Sequence, residues 1–203
     1  VISKDGHYVG LMACWGTMEN CETYAQNVED FASALPSANV WSMIVPTSVE
    51  FYLPSQNEGY TASQKKKIDY IASLLSKAKP VDCYSALEKH TDEHIFARTD
   101  HHWQPLGAYY AAEAFAKTAG LDFPKLSEYE KVQREGYVGS MYNYSKDENL
   151  YNDPETFTMY ISPNDADLKT TYYDEYFRNG YESDLFVSRS AASYYCSFLG
   201  SDD

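Results

Sequence analysis

The chain has 203 residues, 44% hydrophobic and 23% charged, enough for one globular domain with a sizeable core. Its formal net charge of −14 argues against nucleic acid as a partner, since phosphate binding needs clustered Lys and Arg, and against an anionic membrane surface. No apolar run reaches the roughly 18 residues of a membrane span, and four cysteines are too few for a disulfide framework.

Gly6 to Met12 reads as a short strand entering a loop at Cys14-Trp15-Gly16. Thr17 caps a predicted helix running to about Ala34, with Cys21, Tyr24, Val28, Phe31 and Leu35 recurring at helical spacing. Val40 to Val45 is nearly continuous apolar sequence, as in a strand covered on both faces, and Pro46 closes it. After a polar loop to Tyr60, Thr61-Ala62-Ser63-Gln64 predicts a capping box. The helix behind it should bury Ile68, Ile71, Leu74 and Leu75 and keep Lys65, Lys66 and Lys67 wet. Val81 to Tyr84 and Ile95 to Arg98 read as strands, and Leu106 to Ala119 as a helix ending before Gly120. This alternation predicts an α/β layer with a mostly parallel sheet. Cys14 and Cys21 are close enough to pair locally, whereas Cys83 and Cys196 read as small buried hydrophobes.

The character changes near Leu121. Residues 121–203 hold 16 acidic and 7 basic side chains and 12 of the 20 tyrosines, so most of the negative charge lies here. Val132, Tyr137-Val138, Phe157 to Ile161, Leu185 to Val187 and Tyr194 to Leu199 read as short strands. The expectation is a single domain over 1–203, with an α/β core in 1–120 and a β-rich, acidic, Tyr-rich elaboration in 121–203.

The densest chemistry is Asp100-His101-His102-Trp103, at a strand-to-helix turn within Arg98-Thr99-Asp100-His101-His102-Trp103-Gln104-Pro105. Asp100 can hold the imidazole of His102, fix its tautomer and stabilise its charged form, as an acid/base pair requires. The bland reading is a buried His–Asp pair that ties a turn together. No metal is expected: adjacent histidines on an extended segment face apart, and no Cys/His spacing suggests zinc. No cofactor is expected either. The tyrosines can serve as strand residues or as stacking platforms for sugar rings.

The run from Arg98 through Leu106-Gly107-Ala108-Tyr109-Tyr110 resembles the DHHW protein family. So do Met43-Ile44-Val45-Pro46-Thr47 with Glu50, Tyr52 and Pro54, and, more weakly, Gly139-Ser140-Met141-Tyr142. That family is similar to the SGNH-hydrolase-like domains of alginate O-acetyltransferases. The resemblance implies an SGNH-hydrolase-like three-layer α/β core, with Asp100 as triad acid and His102 as general base. From the residues themselves, Pro46-Thr47 and the motif both end core strands and are expected to line one crevice. Arg98, His101, Trp103 and Thr47 are candidate substrate contacts, the alternative for Arg98 and Trp103 being support of the turn and for His101 a structural role. In the resembled domains a serine follows in a Gly/Lys-Asp-Ser-like turn. No such turn occurs here, Ser201 in Gly200-Ser201-Asp202 being a poor substitute, so the serine is expected beyond Asp203. The implied function is an O-acyl (acetyl) esterase or transferase acting on a glycan, secreted or cell-surface anchored. The alternative is a non-catalytic glycan-binding or cell-surface interaction domain.

Overall fold

A computed structural model describes residues 1–165, 168, 170–185, 194 and 195. In chain order the strands and helices are β1 (Ile2–Lys4), β2 (His7–Val9), α1 (Met18–Ala34), β3 (Trp41–Met43), α2 (Ser48–Tyr52), α3 (Gln64–Leu74), β4 (Lys79–Val81), α4 (Cys83–Glu88) and α5 (Pro105–Ala119). Then follow β5 (Glu130–Tyr137), α6 (Ser140–Ser145), α7 (Glu148–Tyr151), β6 (Glu155–Ile161), β7 (Thr170–Tyr172) and β8 (Tyr181–Ser183). The chain forms two compact units. One comprises Val1–Gly10, Ala97–Leu106 and Pro124–Asp203, and the other Leu11–Phe96 and Gly107–Phe123. No helix among the described residues is long and apolar enough to cross a membrane. The expected strands at Leu185–Val187 and Tyr194–Leu199, the burial of Cys196 and any role of Ser201 fall wholly or partly outside the described residues.

In the unit holding α1 to α4, Thr17 caps α1 as expected, in a reciprocal box with Asn20. The buried face differs from the expected one. Cys21 and Ala25 pack on Ile71 of α3, while Phe31 is 59% exposed. Small side chains on α1 let α3 approach closely, and the large ones are left outside. The cap of α3 is Ser63 rather than Thr61, whose hydroxyl instead accepts from the Cys14 N–H. Glu50 completes the end of α3 by accepting from the N–H groups of Gln64 (2.7 Å) and Lys65 (3.0 Å). Leu74 is exposed, not buried. β3 and β4 pair in parallel across this helical crossover, in the register Trp41↔Lys79, Ser42↔Pro80 and Met43↔Val81. Asp82 then ends β4 by capping α4, accepting from Ser85 N–H, so Cys83 and Tyr84 are helical where a strand was expected. Cys14, Cys21 and Cys83 are free thiols, and burial pushes the Cys83 thiol up to about 11.

Glu29 of α1 ties the approach to β4. Its carboxylate accepts from the Ser76 hydroxyl (2.5 Å) and from the N–H groups of Ser76, Lys77 and Ala78, each at 3.0 Å. The Ser76 hydroxyl and these N–H bonds hold its pKa down at about 2. Because the folded pKa lies below the unfolded value of about 4.3, the stabilisation is complete above that value and disappears as pH falls toward 2. Glu29→Gln should therefore lower stability at neutral pH and match the wild type near pH 2, as measured by urea melts across that range.

In the other unit, Asp5 (φ 52°) and Gly6 (φ 83°) form the tight turn of the β1–β2 hairpin, so Gly6 sits in a turn rather than a strand. β5 and β6 pair antiparallel with a bulge between Arg134 and Tyr137, where Gly136 takes φ 83°. Their inner face buries Tyr137, Phe157 and Met159 against Ala97. Two short helices, α6 and α7, occupy sequence that carries no strong helical period.

The expectation of a mostly parallel sheet is corrected. Among the described residues there are four two-stranded sheets, three of them antiparallel. The fold is mixed α/β with small sheets. Of the expected third strand, Ile95 to Arg98, the first three residues are buried and Arg98 is half-buried, and the segment makes only an isolated bridge at Phe96. Ala97 N–H bonds the His102 carbonyl, and Arg98 N–H bonds a carboxylate of β6. Those donors are taken before a neighbouring strand can use them.

Candidate active site

Asp100 organises the motif. Its Oδ1 accepts from the backbone N–H of His102 at 2.9 Å, the local turn an Asp makes with the second residue after it. That turn also brings the His102 ring over the same oxygen, with Nδ1 at 2.6 Å. The Asp-x-His spacing is thus what allows one carboxylate oxygen to hold both groups. Oδ2 accepts from Ser140 N–H at 2.7 Å. Gly139 makes this approach possible, because a Cβ there would lie 2.7 Å from Asp100 Cγ.

Burial by itself raises the pKa of Asp100, whose side chain is 6% exposed. The hydrogen bonds from the His102 ring, Ser140 N–H and His102 N–H outweigh it and hold the carboxyl far below the usual carboxylate range. The His102 ring, 36% exposed, lies between two neighbours: His101, with ring centroids 3.8 Å apart, and Tyr195, parallel at 3.9 Å. His101 Nδ1 is 2.6 Å from the Ser140 hydroxyl. The two histidines therefore lie together, contrary to the expectation that they face apart. Residues 98–102 bend rather than extend, so alternation does not apply. Asp100, His101 and His102 present ligand-type atoms within 4.8 Å of one another, with both Nδ1 atoms engaged by Asp100 and Ser140.

Beneath the motif lies Glu155, the buried first residue of β6. It accepts from Arg98 N–H (2.9 Å), Thr99 N–H (2.7 Å), the Thr99 hydroxyl (2.5 Å) and the Gln104 amide (3.2 Å). The Thr99 hydroxyl in turn accepts from Gly139 N–H at 3.0 Å, and Thr99 O accepts from Met141 N–H at 3.0 Å. One carboxylate and one threonine hold both flanks of the turn and the loop that brings in Ser140.

The model of the DHHW protein family matches residues 17–203. The chain belongs to that family. A DHHW family protein from Eubacterium siraeum is similar at 40% identity and TM-score 0.86, over 98% of this chain and 67% of that one. PatB1 of Bacillus cereus is similar in fold at 14% identity and TM-score 0.73, over 100% of this chain and 72% of that one. A weaker likeness, TM-score 0.47 at 22% identity, is to the O-acetyltransferase domain of Pseudomonas putida AlgJ, over 71% of this chain and 58% of that one. A search of the curated proteins finds no match.

In this DHHW protein the other expected contacts have separate settings. The Arg98 guanidinium bonds Asp153 (2.7 Å) and the Tyr8 carbonyl (3.0 Å), bracing β2 against the loop before β6. Trp103 is half-buried just before α5. Thr47 lies in the other unit, at the start of α2, where its hydroxyl accepts from Gln64 Nε2 at 2.8 Å. Glu155 and Tyr195 carry no sequence signal that separates them from ordinary strand and loop residues, whereas Thr99 lies in the run that carries the family resemblance. Gly139-Ser140 lies in the weaker of the segments that resemble the family, where the signal is a glycine followed by a hydroxyl.

Proposed function

We propose that this DHHW protein is an O-acyl, chiefly O-acetyl, esterase or transferase acting on a glycan outside the cytoplasm, built on an SGNH-hydrolase-like core. The observation that carries the reading is the 2.6 Å bond between the buried Asp100 carboxylate and His102 Nδ1, which leaves Nε2 on the partly exposed edge of the ring. The reading requires a serine, which the family resemblance implies in a Gly/Lys-Asp-Ser-like turn after the Asp-x-His pair. The serine oxygen attacks the acyl carbon and gives its proton to His102 Nε2. The bond to the leaving sugar oxygen then breaks, and that oxygen takes the proton from His102. Water or a second hydroxyl next attacks the acyl-serine, passing its proton through His102 back to the serine. Asp100 orients the ring and stabilises its charged form.

The test uses the full natural protein with an aryl acetate and an acetylated polysaccharide. Turnover of the ester, and loss of that turnover after a sulfonyl fluoride labels one serine, support the reading. Binding of the polysaccharide with no turnover and no labelling sinks it in favour of a binding domain. That second reading draws on the exposed tyrosine rings, Tyr144 and Tyr176 among them, which offer faces to sugars.

A further inference from the structure

We propose that Ser140 fixes His101 as a neutral hydrogen-bond donor, so that the two adjacent imidazoles meet the substrate in opposite roles: His102 Nε2 accepts a proton, and His101 Nε2–H donates to a substrate oxygen. Asp100 Oδ1 already takes two N–H groups from His102, and Oδ2 takes the Ser140 N–H. His101 Nδ1 stands 3.6 Å from Oδ1, too far for a hydrogen bond, and 2.6 Å from the Ser140 hydroxyl. Among the described residues that hydroxyl has no other hydrogen-bond partner, and we assign its proton to His101 Nδ1, the reverse tautomer being one in which Nδ1–H donates to the hydroxyl. An imidazole that accepts at Nδ1 and is neutral carries its proton on Nε2. His102 does the reverse, donating at Nδ1 to the carboxylate and leaving Nε2 bare.

Both Nδ1 atoms lie on the Asp100 side of rings whose centroids are 3.8 Å apart, so both Nε2 edges point away from it. The neutral state of His101 has an independent support. Burial first, and then the neighbouring His102, lower its pKa, while Asp100 opposes them without winning. A neutral imidazole held as a donor beside a base can stabilise negative charge on oxygen without competing for the base's proton. Ser140 is then a positioning residue acting through His101, and only this consequence for catalysis rests on the acyl-transfer reading.

The experiment is long-range ¹H–¹⁵N correlation of the imidazoles in the full natural protein at neutral pH, with turnover of an aryl acetate measured alongside. The wild type should show His101 protonated on Nε2 and His102 on Nδ1. Ser140→Ala keeps the backbone N–H on Asp100, so the His102 pattern should persist while His101 becomes a mixture of tautomers. Ser140→Thr should restore it. His101→Phe keeps an aromatic ring beside His102 and removes the donor, and should lower kcat by about 10²-fold with KM little changed. A wild-type His101 protonated on Nδ1, or a His101 pattern indifferent to Ser140→Ala, overturns the assignment. Tautomers as stated in a protein that turns over no ester would leave the donor assignment standing and remove the acyl-transfer reading.

Discussion

Replacing His102 by alanine is expected to lower kcat/KM of the full protein for an aryl acetate by about 10⁴-fold, down to the rate that binding and oxyanion contacts alone sustain. Among the described residues the ring is the only side chain hydrogen-bonded to Asp100, so none of them already stands in its position. Asp100→Asn should cost less, about 10²-fold, because an amide oxygen can still accept from the His102 N–H while offering no charge to a protonated ring. The pH profile adds a check. Asp100 is held far below the usual carboxylate range, so it remains ionised throughout mild acid. Any acidic limb in kcat/KM above about pH 4 then belongs to another group. The folded pKa of Asp100 is depressed, so its contribution to stability is complete above about pH 4 and is lost only as pH falls below that. A His102→Ala protein that retains more than a tenth of the wild-type rate would end the general-base assignment.

The largest loss of stability is expected at Glu155. Replacing it by alanine leaves the buried Thr99 N–H and the half-buried Arg98 N–H without their acceptor, and the Thr99 hydroxyl with only the Tyr137 carbonyl at 3.5 Å. Each stranded donor costs about 1–3 kcal/mol, so the total is about 3–5 kcal/mol after some relaxation. Glu155→Gln should not rescue it fully. The amide supplies one acceptor oxygen where both carboxylate oxygens now receive N–H groups, and its NH₂ would face a donor. Urea melts of the three proteins measure the effect directly. The same variants should broaden the His102 ring signals, since Glu155 holds the residues on either side of Asp100. A loss below about 1 kcal/mol for Glu155→Ala would mean that water reaches these groups and that the carboxylate is not what holds the turn.

Local chemistry was legible in the residues themselves. The Asp100–His102 bond is made within a two-residue turn, Thr17 caps α1 through its own third neighbour, and α5 begins at Pro105 and ends before Gly120. Each depends on backbone geometry within a turn of chain, which the side chains determine without help. The extent of the sheet was not legible. Val40 to Val45 is apolar enough for a longer strand, but its partner β4 stops at the Asp82 cap, so only three residues pair. What surrounds the Asp100–His102 pair was decided by tertiary structure alone. Glu155 reaches Arg98 across 57 residues and Ser140 reaches His101 across 39. In sequence, Glu155 is one acidic residue beside a strand and Ser140 one hydroxyl after a glycine. Their roles arise because buried N–H and O–H groups of the motif need acceptors and donors, and only the folded chain determines which distant side chain supplies them.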